Sequence, residues 1–215
     1  MTEPAALPRP IHLYTQPVAP NPQRLTMFLA EKGIDVPSTT IDLLAGEQKT
    51  EEFRAKTGAA VVPALELDDG TVLTETPAIC RYLEALAPEP NLMGRDPLET
   101  ALIEMWQRRA ELGLFSAVAQ CFRHTNPRLA VMEDQVAEWG EINRGRIDGH
   151  LATLDSRLAG RDWLAAERRT IADITAFLAC GFRRIIKHPM PEGLTHLEAW
   201  MARMAETPAG RAIAR

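Results

Sequence analysis

The chain has 215 residues, of which 46% are hydrophobic and 25% are charged, and its formal net charge is -5. This composition is typical of a globular protein with one large or two small domains. The negative net charge and the scattered arginine pairs give no support to nucleic-acid binding.

The three cysteines are odd in number and far apart along the chain. This arrangement disfavours both a disulfide framework and a zinc site, and it is typical of small core residues in a reducing compartment. The first ten residues lack the apolar core of a signal peptide, and no window approaches 18 consecutive apolar residues. We therefore expect a cytoplasmic protein without a membrane anchor.

The first elements alternate between strand and helix patterns. Residues 11–14 predict a strand, and a loop over residues 16–20 follows. We predict a helix that begins with Asn21 as its cap and Pro22 at its first position, and that ends at Gly33. Residues 39–43 predict a second strand and residues 50–56 a short helix.

A hairpin and a third helix come next. Residues 64–67 and 71–74 predict two antiparallel strands joined by the turn Asp68-Asp69-Gly70. Thr76 has the side chain of a helix cap and Pro77 suits the first helical position, so Glu75 stands directly before a helix N-terminus.

The rest of the chain predicts helices. Residues 87–95 contain the breaker Pro88-Glu89-Pro90 and predict a linker. Helices are expected over residues 97–124, 134–158, 170–186 and 194–206. Thr170 and Asp173 have the spacing of a reciprocal capping box, to which we assign a folding role.

Glu75 and Thr76 also have a possible chemical use. A helix N-terminus offers N–H groups and a hydroxyl to an anion, while the Glu75 carboxylate can pair with an ammonium group. Together they suit the α-amino acid end of a ligand. The alternative is that Thr76 only caps its own helix and that Glu75 is solvated.

The segment around these residues resembles the glutathione S-transferase family. Val62-Pro63 before the hairpin and Glu75-Thr76 after it match that family's cis-proline and Glu-Ser pattern, with Thr in place of Ser. The resemblance extends from the LYTQP segment at Tyr14 to the TIAD segment at Thr170.

The resemblance implies an α/β domain followed by an all-α domain. The first, over residues 10–87, is a thioredoxin-like domain with a mixed four-stranded sheet, and the second, over residues 96–215, is a helical bundle. It also implies a homodimer with a role in detoxification, whose partners are glutathione as co-substrate and a small hydrophobic electrophile, without a metal, a nucleic acid or a membrane.

The chain differs from the family at the position of the residue that activates the thiol. In the segment from Tyr14 to Pro22, Thr15 stands where tyrosine-type relatives have their Tyr, and Ala19 where serine-type relatives have their Ser. Relatives of the beta class have a Cys near the position of Pro20, and none of these donors is present here. Asn21 is our first candidate because its carboxamide N–H can donate to sulfur, and Thr15 is the second. The alternative is that Asn21 only caps the first helix. No Cys-x-x-Cys is present, which disfavours disulfide exchange.

The resemblance carries the remaining cofactor contacts onto four residues. Val62 would offer its backbone N–H and C=O to an extended peptide beside Pro63. Gln48 and Lys49 would meet the glycine end. Val61 is apolar where the family often has a polar residue, which indicates low affinity for glutathione.

The electrophile is expected against the first long helix, near Trp106, Arg109 and Phe115. Apolar residues at helical spacing are commonly core, and that alternative stays open for Trp106. The predicted function is a glutathione transferase that attacks a soft electrophile or a peroxide. The alternatives are a non-catalytic member that binds or dimerises, and a glutathione-dependent isomerase or dehalogenase.

Overall fold

The computed structural model describes residues 6–214. Residues 1–5 and residue 215 lie outside the described residues. The former belong to the first ten residues, which lack a signal-peptide pattern, and the latter is the predicted end of the helical domain. The chain divides into two compact units, and the division falls between Pro90 and Asn91.

The first unit combines four strands and three helices. The strands are β1 (Pro10–Thr15), β2 (Ser38–Thr40), β3 (Ala64–Leu67) and β4 (Val72–Leu73). The helices are α1 (Pro20–Lys32), α2 (Glu51–Thr57) and α3 (Thr76–Leu86), with a short 3-10 turn at Glu47–Lys49.

The strands form a mixed sheet in the order β2-β1-β3-β4. β1 runs parallel to β2, with Leu13 opposite Ser38, and antiparallel to β3, with Leu13 opposite Leu65. β3 and β4 are the antiparallel hairpin. The predicted mixed four-stranded sheet is thus confirmed, and this topology brings the carboxyl ends of β1, β2 and β4 to the same end of the sheet as the start of β3.

The second strand is shorter than predicted. The pattern predicted residues 39–43, whereas β2 ends at Thr40. The Asp42 carboxylate accepts hydrogen bonds from the N–H groups of Leu44 and Ala45, at 2.9 and 3.0 Å. This side chain turns the backbone immediately after the strand, as Asp commonly does in loops.

The end of α1 is fixed as the sequence predicted. Gly33 follows Lys32 with a left-handed φ of +63°, a conformation that glycine adopts without steric penalty. The buried ammonium of Lys32 donates to the carbonyls of Ala87 and Pro90, each at 2.7 Å, and pairs with Glu84 at 2.5 Å. Lys32 therefore provides hydrogen-bond donors for carbonyl groups at the C-terminal end of α3 and in the segment that follows it.

The second unit is helical. Its helices are α4 (Pro97–Arg108), α5 (Ser116–Thr125), α6 (Ala137–Arg144), α7 (Ile147–Leu158), α8 (Ile171–Phe182), α9 (Thr195–Ala205) and α10 (Pro208–Ala212). Between α4 and α5 the backbone forms a π-helical segment, Arg109–Phe115, so the predicted helix over residues 97–124 is continuous but underwound at its centre.

The predicted single helix over residues 134–158 was wrong. It is divided at Gly145 and Arg146, which separate α6 from α7. α6 packs mainly on α5, whereas α7 packs on α9, so the two halves have different packing partners. Gly145 lies at the division, and glycine is less favourable in a helix interior than every residue except proline.

The capping box at α8 is confirmed. The Asp173 carboxylate is fully buried and accepts from the Thr170 N–H, the Thr170 hydroxyl and the Leu164 N–H, each at 2.9 Å. The Trp200 indole N–H is a fourth donor, at 3.1 Å. Burial raises the pKa of Asp173, and these four hydrogen bonds oppose that rise by stabilising the carboxylate.

Candidate functional site

Four segments of the first unit meet at one end of its sheet. They are the loop after β1, the loop after β2, the residues before β3 and the residues after β4, which together carry the predicted glutathione contacts. In open sheets of this kind, ligands bind beyond the carboxyl ends of the strands. The strand order therefore brings together residues that are up to 60 positions apart in the sequence.

The first helix begins earlier than predicted, and Asn21 is not its cap. α1 starts at Pro20 with Ala19 in the cap position, and no side chain caps it. Pro20 and Pro22 have no N–H group. The backbone N–H of Asn21 is therefore the donor of this first turn that makes no hydrogen bond within the helix. The half-buried Asn21 carboxamide has no hydrogen-bond partner within the described residues.

The third helix also begins differently from the prediction. Thr76 is its first residue, and Glu75 occupies the cap position with φ +63° and ψ 110°. A non-glycine residue is strained in this region of φ, and such strain is concentrated at functional sites. The Glu75 side chain is exposed, so a ligand can contact it. Since Pro77 has no N–H group, the N–H of Thr76 is the first-turn donor that remains for a ligand.

One hydrogen bond joins the two helix starts. The buried Thr76 hydroxyl donates to the Asn21 carbonyl at 3.3 Å, instead of capping α3. This bond brings the starts of the two helices next to each other, and each helix start carries a partial positive charge. The arrangement favours an anion beside the two helix starts.

The segment before β3 lies outside the strand and contains a cis peptide bond. The Val62-Pro63 peptide bond is cis, as the resemblance implied. Pro63 is buried and Val62 is half-buried, while the apolar side chain of Val61 is 41% exposed. The peptide groups around Val62 are therefore near the surface, where an extended ligand can pair with them.

Gln48 and Lys49 lie in the 3-10 turn after β2, but their environments differ. Gln48 is buried, with its amide nitrogen 3.3 Å from the Leu43 carbonyl, to which it donates. Lys49 is exposed. Of the two predicted residues, Lys49 is the one that presents a charge to solvent.

Tyr14 and Thr15 are residues of β1, and their contacts within the first unit limit their availability to a ligand. The Thr15 side chain is buried, and its carbonyl accepts from the Ile41 N–H at 2.8 Å. The Tyr14 hydroxyl donates to Glu66 at 2.8 Å, and Lys56 lies 2.9 Å from the same carboxylate. The Lys56 ammonium, and then the Tyr14 hydroxyl, lower the pKa of Glu66. Tyr14 is thus part of a surface network and not a thiol donor.

Comparison with known proteins agrees with this geometry. Residues 18–86 match the model of the glutathione S-transferase N-terminal domain, and residues 115–208 match that of the C-terminal domain. Glutathione S-transferase 2 of Saccharomyces cerevisiae is 38% identical over 200 residues, which cover 91% of this chain and 86% of that protein. The chain belongs to the glutathione S-transferase family.

Solved structures of the family share the fold. A glutathione S-transferase domain-containing protein from Marinobacter aquaeolei is 39% identical with a TM-score of 0.88, covering 93% of this chain and all of that one. Gtt2 from Saccharomyces cerevisiae is 37% identical with a TM-score of 0.89, covering 95% of this chain and all of that one. The predicted family, the thioredoxin-like and helical domains, and the glutathione transferase activity are confirmed.

The predicted electrophile residues of this transferase have different surroundings in the helical unit. Trp106 and Arg109 line a cavity of about 510 Å³, and the Arg109 guanidinium lies 4.8 Å from the centre of the Trp106 ring. Phe115 is buried, with its ring 5.9 Å from that of Phe182.

Sequence reasoning missed Arg157, which stacks on Trp106 at 5.0 Å. The two residues are 51 positions apart and lie on α7 and α4, so no local pattern connects them. A pairing of this kind is decided by how the helices pack.

The protein supplies no reactive thiol of its own within the described residues, because all three cysteines are buried. Burial raises the pKa of Cys180 to about 12 and also raises that of Cys121. No group of three or more potential metal ligands occurs in the part of the chain that the structure describes. Over the same residues, no helix is long and apolar enough to span a membrane.

Proposed function

We propose that this transferase binds glutathione at the end of the sheet where α1 and α3 begin, and that Asn21 stabilises the glutathione thiolate there. The observation that supports this most directly is the hydrogen bond from the Thr76 hydroxyl to the Asn21 carbonyl, at 3.3 Å. It joins the residue proposed for the γ-glutamyl end to the residue proposed for the sulfur.

The γ-glutamyl end is assigned to Glu75 and Thr76. The exposed Glu75 carboxylate would pair with the ammonium group, while the Thr76 N–H would donate to the carboxylate. The cysteinyl backbone would pair with the N–H and C=O of Val62, beside the buried Pro63, in the manner of an added strand.

The glycine carboxylate is assigned to the turn at residues 47–49. Lys49 supplies the charge, since it is exposed, and Gln48 holds the turn through its bond to the Leu43 carbonyl. An exposed ion pair of this kind contributes up to about 1 kcal/mol.

The thiol chemistry requires a shift in pKa. A free thiol has a pKa of about 8.5, and lowering it by about two units takes about 2.7 kcal/mol of preferential stabilisation of the thiolate. A hydrogen bond to a charged group contributes about 1.5–3 kcal/mol, so the Asn21 carboxamide together with the first-turn N–H of α1 can provide it. Thr15 is a weaker candidate because its side chain is buried.

The reaction then follows from the thiolate. The thiol proton leaves to solvent, and the sulfur forms a bond to a soft electrophilic carbon as the leaving group departs with its electron pair. With a peroxide, the sulfur bonds to one oxygen, the O–O bond breaks and an alcohol or water leaves. The resulting glutathione sulfenic acid then reacts with the thiol of a second glutathione, which gives the disulfide and water. We assign contact with a small hydrophobic electrophile to Trp106, Arg109 and Phe115. Trp106 and Arg109 line one cavity, and Phe115 is buried beside Phe182.

We also propose a homodimer that works in the cytoplasm in detoxification, with domain limits at residues 10–87 and 96–215. Along α4, the side chains of Leu98, Leu102 and Met105 are 70%, 37% and 37% exposed and follow one face of the helix. An exposed apolar face of this kind is typical of a protein interface. Sedimentation of a Leu98→Glu, Leu102→Glu variant as a monomer, and of the wild type as a dimer, is the expected result.

The first experiment is calorimetric titration with glutathione, with the ultraviolet absorbance of the thiolate followed across pH. We expect saturable binding and a bound thiol pKa well below about 8.5. Glu75→Ala should weaken binding, and Glu192→Ala, which removes an exposed carboxylate from the helical unit, is the charge-matched control. Absence of binding at millimolar glutathione would contradict the assignment.

A further inference from the structure

One face of the sheet in the first unit carries polar and aromatic side chains. Along β1 and β3, Leu13 and Leu65 are buried, whereas His12, Tyr14 and Glu66 are half-buried. Successive side chains of a strand point to opposite faces, and His12 is directly opposite Glu66 in the pairing of β1 with β3. The three half-buried side chains therefore share one face of the sheet.

Helix α2 is attached to this face by two of its side chains. The buried Phe53 ring meets the Tyr14 ring edge-on, with 5.8 Å between the ring centres. Three residues later, the Lys56 ammonium lies 2.9 Å from the Glu66 carboxylate and 5.1 Å from the centre of the Tyr14 ring. The Tyr14 hydroxyl donates to the same carboxylate at 2.8 Å. We call Tyr14, Glu66 and Lys56 the α2 anchor.

The contacts of the α2 anchor converge on one ammonium group. The side chain of Lys56 is 42% exposed and that of Glu66 is 19% exposed, and a single ion pair at such a surface contributes little. Lys56, however, pairs with a carboxylate and lies over an aromatic ring at the same time. Its removal therefore takes away both contacts and leaves Phe53 as the remaining link between α2 and Tyr14.

The N-terminal end of α2 is joined to the turn that contains Gln48 and Lys49. The Thr50 hydroxyl accepts from the Phe53 N–H at 3.3 Å, which caps the helix, and donates to the Glu47 carbonyl at 2.9 Å. One side chain thus connects the helix and the turn. The turn assigned to the glycine end of glutathione follows the position of α2.

The C-terminal end of α2 is joined to the segment that contains Val62. The Thr57 hydroxyl lies 2.8 Å from the Phe53 carbonyl and 2.5 Å from the Ala59 carbonyl, and it accepts from the Ala59 N–H at 3.3 Å. Gly58 ends the helix with a left-handed φ of +69°. α2 therefore lies between the two segments assigned to the glycine carboxylate and to the cysteinyl backbone.

We propose that Lys56 is a positioning residue for glutathione affinity, because it holds α2 on the sheet and so places the turn at residues 47–49 and the segment at Val62. The inference rests on the proposed function, since it takes these two segments as parts of the glutathione site. Without the α2 anchor, α2 would occupy its binding-competent position for only a fraction of the time, and the apparent Kd rises by the inverse of that fraction. Asn21 belongs to α1 and is not a member of the α2 anchor, so the thiol pKa should not depend on Lys56.

The test is calorimetric titration of the full chain with glutathione, together with steady-state kinetics with chlorodinitrobenzene and thiolate absorbance across pH. Lys56→Met keeps a long side chain and removes the ammonium group. We expect the Kd and the KM for glutathione to rise by about threefold to tenfold. We expect kcat and the pKa of the bound thiol to stay as in the wild type.

Two further variants separate positioning from charge and from folding. Arg54→Met removes a positive charge from an exposed position of the same helix, and the Arg54 side chain has no hydrogen-bond or ion-pair partner within the described residues. It corrects for the general attraction of a cation for the anionic ligand. Lys56→Arg keeps the charge and can still pair with Glu66, so it should restore the glutathione Kd to within about twofold of the wild-type value.

Hydrogen exchange provides a readout that needs no ligand. In Lys56→Met, the backbone amides of residues 50–58 should exchange at least about threefold faster than in Arg54→Met. The amides of α1 and α3 should exchange at the wild-type rate in both variants, because the α2 anchor includes no residue of these helices.

Three results would overturn the role of Lys56. They are an equal glutathione Kd for Lys56→Met and Arg54→Met, equal exchange of α2 in these two variants, and a lower kcat or a shifted thiol pKa in Lys56→Met at an unchanged KM. The proposed function fails by a different result, which is the absence of glutathione binding to the wild type and would contradict both proposals. Binding by the wild type that is equal in all three variants would contradict only the role of Lys56.

Discussion

Replacement of Asn21 by Ala removes a carboxamide that has no partner within the described residues, and it keeps the backbone N–H at the start of α1. The helix itself should be little affected, because Ala19 occupies the cap position and no side chain caps α1. The substitution therefore separates the proposed role in thiol activation from a role in folding.

The magnitude follows from the number of donors. With Pro20 and Pro22 on either side, Asn21 provides the one first-turn N–H of α1 and the adjacent carboxamide N–H. Loss of a hydrogen bond to an anion is worth about 1.5–3 kcal/mol, which is equivalent to about 1–2 units in the pKa of bound glutathione. Asn21→Asp should raise this pKa further, because it adds a negative charge beside the sulfur.

The assay is thiolate absorbance against pH at saturating glutathione, together with the pH profile of kcat/KM. For Asn21→Ala we expect both to shift to higher pH, with activity about tenfold lower at neutral pH and recovered above the raised pKa. A purely structural defect would lower activity at every pH.

Gln23→Ala is the matched control, because the Gln23 carboxamide is engaged with the Pro17 carbonyl at 3.1 Å and is not available to sulfur. An unchanged thiol pKa in Asn21→Ala would refute the assignment. If Thr15→Val then raised the pKa, the donor would be Thr15.

Three further predictions concern single residues. Glu75→Gly removes a carboxylate and relieves the strain of a φ of +63°. We expect weaker glutathione binding by calorimetry, but an unfolding free energy that is higher by up to about 1 kcal/mol. A loss of both glutathione affinity and stability would contradict this. Asp173→Asn places an NH₂ group among four donors and should lower the unfolding free energy by about 2–4 kcal/mol in urea, whereas no loss would show that the capping box is dispensable. The Arg168 guanidinium lowers the pKa of Glu99 from 4.5 to about 2, so this pair stabilises the fold above pH 4.5 and the effect is lost as pH falls towards 2. After allowance for its partial exposure, Glu99→Gln should cost about 1–2 kcal/mol at pH 6 and nothing near pH 2, and a constant difference across pH would refute the linkage.

Local hydrogen bonding explains which elements the sequence predicted well. The end of α1 at Gly33, the hairpin strand β3 and the capping box at Thr170 all depend on residues within a few positions of one another. Their backbone geometry is set by the residue type at that place, and a sequence displays residue types directly.

The starts of α1 and α3 show where local reasoning failed. Asn21 and Thr76 both have side chains that cap helices, and we predicted that both would do so. In the structure they face each other across 55 positions of sequence, and the Thr76 hydroxyl uses the Asn21 carbonyl as its acceptor. The cap residues were predictable by type, but their partner was decided by the sheet that brings the two helix starts together.

The sequence by itself determined the family, the order of elements and the residue types that can meet glutathione, because these are carried by short motifs such as Val62-Pro63 and Glu75-Thr76. Only the tertiary structure decided that Asn21 is released from capping, and that arginines from α7 and the π-helical segment enclose Trp106. The physical reason is that a long-range contact depends on the packing of whole helices and strands, which no local pattern of residues specifies.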